Sequence, residues 1–150
     1  MFLSRKNFVN ISLATASIIS SIAFYGVNTL TSITAPICNT IGSAAFRNCT
    51  ALNTINMPTC KTIGYSAFMN CSALTTVSFP GCTTIESYAF RSCANLVSTY
   101  FLGNSIINLL ASNAFTSVNE NLSIYVPTSL VNSYKTATNW TKLSSRIIGI

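Results

Sequence analysis

The chain has 150 residues and a net charge of +6, and 49% of its residues are hydrophobic, which suffices for one domain with its own core. Only 7% are charged, Glu86 and Glu120 are the sole acids, and histidine is absent. This composition argues against acid–base enzymes and carboxylate metal sites, so we expect a non-enzyme with no catalytic residues, no metal and no cofactor. Its eight Lys and Arg residues are scattered, which argues against a nucleic-acid partner.

The same residue types recur at one fixed interval through most of the chain. Leu30, Leu52, Leu74 and Leu96 are evenly spaced and form one column of the repeat, and prolines, isoleucines, Ala-Phe pairs and cysteines form others. A fixed period in many columns is typical of a solenoid, in which each repeat is one coil. We therefore predict a solenoid over residues 1–127, with repeats at 8–29, 30–51, 52–73, 74–95 and 96–120.

The first repeat is degenerate. Phe8, Ile11, Ile19 and Phe24 fall in the core columns, although this repeat lacks the proline and both cysteines. The stretch over residues 1–26 is also similar to a secretory signal peptide, with two early positive charges before an apolar run. Both interpretations remain open. If this stretch is a coil, its outer edge favours self-association through unpaired strand groups.

Each coil is predicted to contain two extended pieces. "LTTVSFP" alternates, so that Leu74, Val77 and Phe79 point inward, whereas Thr76 and Ser78 point outward. "CTTI" forms a second short strand, and "ESYAFRSC" follows as a tight turn or a short helix. Gly42 and Gly64 are expected to permit that turn.

Six cysteines recur in two columns, and they are listed here: Cys38, Cys60 and Cys82; Cys49, Cys71 and Cys93. We interpret them as small apolar residues of the interior. Disulfides between vertical neighbours stay an alternative, because the spacing of stacked coils is within the Cα range that a disulfide permits. Zinc is the least favoured, because no CxxC pair or histidine is present.

The fifth repeat is longer than the others. Ala114 and Phe115 follow Ala89 and Phe90 at a wider interval than the period gives, which predicts a three-residue insertion near residues 108–113. Ile107 is expected to continue the column of Ile85. A sixth strand, "LSIYVP", follows at residues 122–127.

Residues 128–150 are predicted to form a C-terminal helical cap over the last coil. Thr128 or Ser129 is a candidate helix cap, and Tyr134, Trp140 and Ile147 belong to its apolar set. Solenoids need such terminal lids to stay soluble.

The pattern "LxxIxxPxCxxIGxxAFxNCxxL", found at Leu52–Leu74 as "LNTINMPTCKTIGYSAFMNCSAL", resembles the BspA-like, or Treponema pallidum-type, leucine-rich repeats of bacterial surface proteins. The segment Ile124–Ile147 is similar to the extension that follows such arrays in gut bacteria and their phages. The resemblance implies a mainly β solenoid of stacked parallel strands with short helical turns, at the cell surface or secreted. It supplies no catalytic residues.

The outward strand positions form an uncharged, hydroxyl-rich surface, which suits recognition of a protein or a glycan. The candidate binding residues are Thr54, Asn56, Thr76, Ser78, Tyr65, Tyr88 and Tyr100. The alternative is that these side chains are simply solvated and have no partner.

We expect an adhesion or interaction module of a bacterial or phage surface protein, without transmembrane insertion. Two alternatives remain. One is a structural component of a virion or another multi-subunit assembly, located in the virion. The other, more remote, is an ice-binding surface made of threonine ladders such as Thr40, Thr62 and Thr84.

Overall fold

The computed structural model describes residues 9–150. Within them, two short parallel strands per coil stack along one axis, as the repeat predicted. The first strands of the coils are β1 (Asn10–Ser12), β3 (Ser32–Thr34), β5 (Thr54–Asn56), β7 (Thr76–Ser78), β9 (Ser98–Tyr100) and β11 (Ser123–Val126). The second strands are β2 (Ile18–Ile19), β4 (Thr40–Ile41), β6 (Thr62–Ile63), β8 (Thr84–Ile85) and β10 (Asn108–Leu109).

Except between β5 and β7, the strands pair in register between successive coils, which confirms the predicted mainly β solenoid. The orders are β1-β3-β5, β10-β8-β6-β4-β2 and β12-β11-β9-β7, where β12 is Ile147–Gly149. Ile33 lies opposite Ile55, and Ile41 lies opposite Ile63, each one repeat further along the chain. The hydrogen bonds of a parallel ladder therefore place like residues over one another.

Residues 10–26 form a coil in the same register as the later ones. Ile11 lies opposite Ile33, and Ile19, which is buried, lies opposite Ile41. The predicted core position of Phe8 falls outside the described residues. Because β1 and β2 are the outer strands of their sheets in the described part of the chain, self-association through this edge stays a prediction.

A column of stacked phenylalanine rings fills the centre of the solenoid. Ring centroids lie 5.3 Å apart for Phe24–Phe46 and Phe46–Phe68, 5.4 Å for Phe68–Phe90, and 5.2 Å for Phe90–Phe115. The interplanar angles are 10° or less. This separation is close to the spacing between paired strands, about 4.8 Å, so the ladder sets the distance between the rings.

The turn after the second strand has left-handed backbone at two positions in each of the first four coils. Ala44, Ser66 and Tyr88 occupy the first position, with φ of 55°, 53° and 59°. Asn48 and Asn70 occupy the second, with φ of 64° and 63°. Asparagine tolerates this conformation better than most residues, and here Asn70 Nδ2 also donates to Asn48 Oδ1 at 2.7 Å.

The predicted role of Gly42 and Gly64 in this turn was wrong. Neither adopts a left-handed φ. A Cβ on Gly42 would lie 2.5 Å from Ser21 N, and one on Gly64 would lie 2.7 Å from Ile41 O. Close approach of the preceding coil therefore explains both glycines. Glycine is needed only in these two coils, since Glu86 occupies the same column in the next coil.

All six cysteines are free and buried, which confirms the interior interpretation. The thiols of Cys49, Cys71 and Cys93 donate to carbonyl oxygens of Phe24, Phe46 and Phe68 at 3.0–3.1 Å. The thiols of Cys38, Cys60 and Cys82 donate to the carbonyls of Thr40, Thr62 and Thr84 at 3.3–3.5 Å. Each polar S–H therefore has a partner, and the cysteines act as core residues.

The three extra residues of the fifth coil do not all lie where the sequence predicted. Ile85 pairs with Leu109, so Ile107 does not continue the isoleucine column. Two of the extra residues precede β10, and the third lies between Leu109 and Ala114. Ile107 is nevertheless buried, because the C-terminal segment covers it.

The C-terminal segment packs on the fifth coil around Ile107 and Leu109 and forms buried hydrogen bonds with it. It contains a 3-10 helix at Thr128–Leu130, α1 (Val131–Thr136), a 3-10 helix at Thr141–Arg146, and β12. The Ile107 N–H donates to Tyr134 Oη at 3.1 Å, and Trp140 Nε1 donates to Ile107 O at 2.8 Å. Asn139 Nδ2 donates to Leu109 O at 2.7 Å. Burial raises the pKa of the Tyr134 hydroxyl above its usual value.

One detail of the predicted cap was wrong, and Ile147 is buried as predicted but lies in a strand. No capping hydrogen bond is made by Thr128 or Ser129, because the first helical turn begins directly after Pro127. Ile147 belongs to β12 and pairs with Ile124, so the segment ends in a strand of the solenoid sheet. The placement of the solenoid–cap boundary at Pro127 stays a prediction.

One core position carries a buried hydroxyl without a partner. Thr99 pairs with Val77 on one side and Ile124 on the other, is fully buried, and its Oγ1 has no hydrogen bond. We expect Thr99→Val to raise the free energy of unfolding by about 1 kcal/mol, because it removes an unsatisfied polar group at nearly constant shape. Chemical denaturation measures the change. The matched exposed variant Thr76→Val should have little effect, and a destabilised Thr99→Val would contradict this account.

The buried thiols give a second prediction. Burial raises the pKa of Cys49, Cys82 and Cys93 to about 12, and it also raises the pKa of Cys38, Cys60 and Cys71. Little thiolate is therefore present at neutral or mildly basic pH, and the thiolate is the reactive form. Titration with a disulfide reagent should detect no fast-reacting thiol in the native protein and all six in denaturant. Any rapid native reaction would show that a cysteine column is open to solvent.

Candidate functional site

The outward positions of the five first strands from β3 to β11 form one extended surface, which we call the strand face. It has two columns, and they are Ser32, Thr54, Thr76, Ser98 and Ser123; and Thr34, Asn56, Ser78, Tyr100 and Tyr125. All ten side chains are exposed or partly exposed, whereas Ile33, Val77 and Thr99 between them point into the core. None of the ten carries a charge, so the strand face offers hydroxyl, amide and phenol groups.

Five of the predicted binding residues share the strand face. Thr54 and Asn56 lie on β5, Thr76 and Ser78 lie on β7, and Tyr100 lies on β9. Their alternation with core residues explains this placement, because successive strand side chains point to opposite sides.

The ladder of the strand face is interrupted between β5 and β7. In the described part of the chain, β5 pairs only with β3, and β7 pairs only with β9. Ile55 is half-buried at this point, whereas Ile33 and Val77 are buried. The floor formed by Thr54, Asn56, Thr76 and Ser78, which we call the hydroxyl floor, thus spans a discontinuity in the sheet.

The other two predicted binding residues lie elsewhere, on the turns after the second strands. Tyr65 is 46% exposed, and its ring meets that of Tyr88 edge-on with centroids 5.7 Å apart. The Arg91 guanidinium lies over the Tyr88 ring at 5.1 Å, and the Tyr65 N–H donates to Glu86 Oε2 at 2.9 Å. These tyrosines therefore form a separate cluster, engaged with charged neighbours of their own.

Tyr125 is a further aromatic residue of the strand face and was not among the predicted binding residues. Tyr125 pairs with Tyr100, and the rings stack with centroids 4.7 Å apart at an interplanar angle of 11°. The lengthened interval that relates Phe115 to Phe90 also relates Tyr125 to Tyr100, so applying that interval to the sixth strand would have found this pair.

The described residues carry many hydroxyl, amide and aromatic side chains but few ionisable ones. Across residues 9–150, no group of three or more Cys, Asp or Glu side chains is placed to hold a metal ion. No helix in that range is long and apolar enough to cross a membrane. The strand face is suited to hydrogen bonding and to contact with aromatic rings.

Comparison with solved structures shows the same fold in bacterial proteins. A leucine-rich cell surface protein from Faecalibacterium prausnitzii matches 95% of this chain with a TM-score of 0.68 and 22% identity. A leucine-rich repeat protein from Bacteroides ovatus matches 94% with a TM-score of 0.65 and 22% identity. The leucine-rich repeat protein of T. pallidum matches 93% with a TM-score of 0.50 and 19% identity.

This chain spans 36% and 42% of the first two proteins, and 83% of the third. A search of curated proteins found no significant match. At the level of sequence, the model of the BspA type leucine rich repeat region matches residues 17–143 in six copies. The chain therefore belongs to the BspA-type leucine-rich repeat family.

Proposed function

We propose that this chain is a non-enzymatic binding module of a bacterial surface protein and that it mediates adhesion through the strand face. The observation that carries the proposal is the set of ten outward side chains, all polar or aromatic and none charged, held on two successive parallel ladders. Extended solenoid surfaces of this kind are commonly used for recognition.

Two further features support the proposal. The family is typical of bacterial cell-surface proteins, and one structural neighbour is described as a cell surface protein, which favours an extracellular or surface location. The described chain also lacks the grouped ionisable side chains that most hydrolytic or metal-dependent mechanisms use. The alternative of a virion component receives no support from these comparisons.

The partner is expected to be a protein or a glycan that contacts several coils at once. Paired first strands lie about 4.8 Å apart, so a ligand that crosses several coils meets hydroxyl, amide and aromatic groups on both sides of the interruption between β5 and β7. Tyr100 and Tyr125 supply the aromatic contact area on this surface, and aromatic side chains contribute strongly to binding energy.

The test uses charge placed on the strand face. Labelled wild-type protein is applied to immobilised extracellular-matrix proteins and to neutral and acidic glycans, and affinity is measured for each ligand that binds. The double variant Thr54→Lys/Thr76→Lys should weaken binding about tenfold or more, because two uncompensated charges would be buried against the ligand. Both positions are exposed, so the fold should be retained.

Thr83→Lys is the matched control, since it places a lysine in a column that already contains Lys61, beside the second strands. This variant should bind as the wild type does. The proposal would be overturned if no ligand bound, or if binding survived the double variant and was lost in Thr83→Lys.

A further inference from the structure

The strand face changes abruptly from small to aromatic side chains between β7 and β9. Along one column, Asn56 and Ser78 precede Tyr100 and Tyr125. The Tyr125 ring stacks on one side of Tyr100 at 4.7 Å. The next position in the column on the other side is Ser78, which carries only a hydroxymethyl group and is exposed.

A serine side chain is too short to cover a phenol ring in the neighbouring coil. The ring face of Tyr100 that is turned toward β7 therefore stands at the edge of the hydroxyl floor as a wall. Tyr125 stacks on the opposite face of the Tyr100 ring. This contact restricts the rotamers of Tyr100 before a ligand binds, so that less side-chain entropy is lost on binding. We call the wall and the hydroxyl floor together the tyrosine step.

We propose that the tyrosine step binds a pyranose unit of a neutral glycan, with the sugar ring packed on Tyr100 and its hydroxyls on the hydroxyl floor. This inference rests on the proposed function, because it names the ligand class of the same strand face.

The chemistry of the tyrosine step matches a sugar in two respects. A pyranose with equatorial substituents has an apolar C–H face, and the negative face of an aromatic ring attracts such weakly positive hydrogens. Its rim carries hydroxyls that both donate and accept, as do those of Thr76 and Ser78. The Thr54 hydroxyl donates to Asn53 Oδ1 at 2.8 Å and therefore offers an acceptor, while Asn56 adds an amide donor and acceptor.

Charge complementarity favours a neutral occupant over an acidic one. None of the ten outward strand positions is charged. Arg91 and Glu86 belong to the turn cluster of Tyr65 and Tyr88, and they are engaged there. A uronic acid, a phosphorylated glycan or a charged peptide would bring its charge onto the strand face without a partner, at a desolvation cost.

The experiment measures tyrosine ring shifts by NMR with selectively labelled tyrosine. The probes are short β-linked oligosaccharides of glucose and of N-acetylglucosamine, with oligogalacturonate as the acidic comparison. We expect a neutral oligosaccharide to shift Tyr100 and Tyr125 while Tyr65 stays unchanged, and to bind more tightly than oligogalacturonate.

Two variants remove the site in opposite ways. Tyr100→Ser repeats the residue of the preceding coil and removes the wall, whereas Ser78→Tyr extends the stack and fills the space over the hydroxyl floor. Each should weaken binding about tenfold, and Ser78→Tyr should do so with the fold intact. Tyr65→Ser is the control and should bind as the wild type does.

The inference would be overturned if no neutral probe shifted Tyr100, if either variant bound like the wild type, or if oligogalacturonate bound more tightly. Comparison with the ligand panel distinguishes failure of the tyrosine step from failure of the strand face as a binding surface. A protein ligand that is sensitive to Thr54→Lys/Thr76→Lys, together with no sugar binding, would refute the tyrosine step and leave the strand face as a binding surface. No ligand of any class at the strand face would refute both.

Discussion

The parallel register between successive coils is the constraint on which the rest of this structure depends. Backbone ladders hold paired strands at one spacing, so the core side chains of one coil meet their equivalents in the next. For the central phenylalanines this gives a continuous ring stack with separations of 5.2–5.4 Å. A single coil could not bury these rings alone, which explains why the unit repeats and why the phenylalanine column keeps one type of residue.

The same constraint separates the interior from the binding surface. Alternation within a three-residue strand sends Val77 into the core and leaves Thr76 and Ser78 outside. The cysteines lie inside and hydrogen-bond to backbone carbonyls, so their chemistry serves packing. The proposed binding function therefore falls on the outward columns, where the residue type is free to change from coil to coil, as it does from Ser78 to Tyr100.

The sequence predicted whatever depends on the period. Columns of leucine, phenylalanine and cysteine gave the solenoid, its inward residues and the placement of Thr54 and Thr76. The prediction from the sequence was wrong where the period is interrupted. Ile107 was assigned to the column that Leu109 fills, because a two-residue strand carries too little pattern to locate an insertion. The interruption between β5 and β7, and the engagement of Tyr65 with Tyr88, depend on contacts between coils that no local pattern encodes.

Ring-proton NOEs among the phenylalanines, measured with labelled Phe in solution, test the registered stacking of coils most directly. The account predicts cross-peaks between Phe46 and Phe68 and between Phe68 and Phe90, with none between Phe46 and Phe90, which are separated by an intervening ring. Absence of the neighbouring cross-peaks, or a direct Phe46–Phe90 contact, would contradict the stacking, and with it the strand face and the tyrosine step.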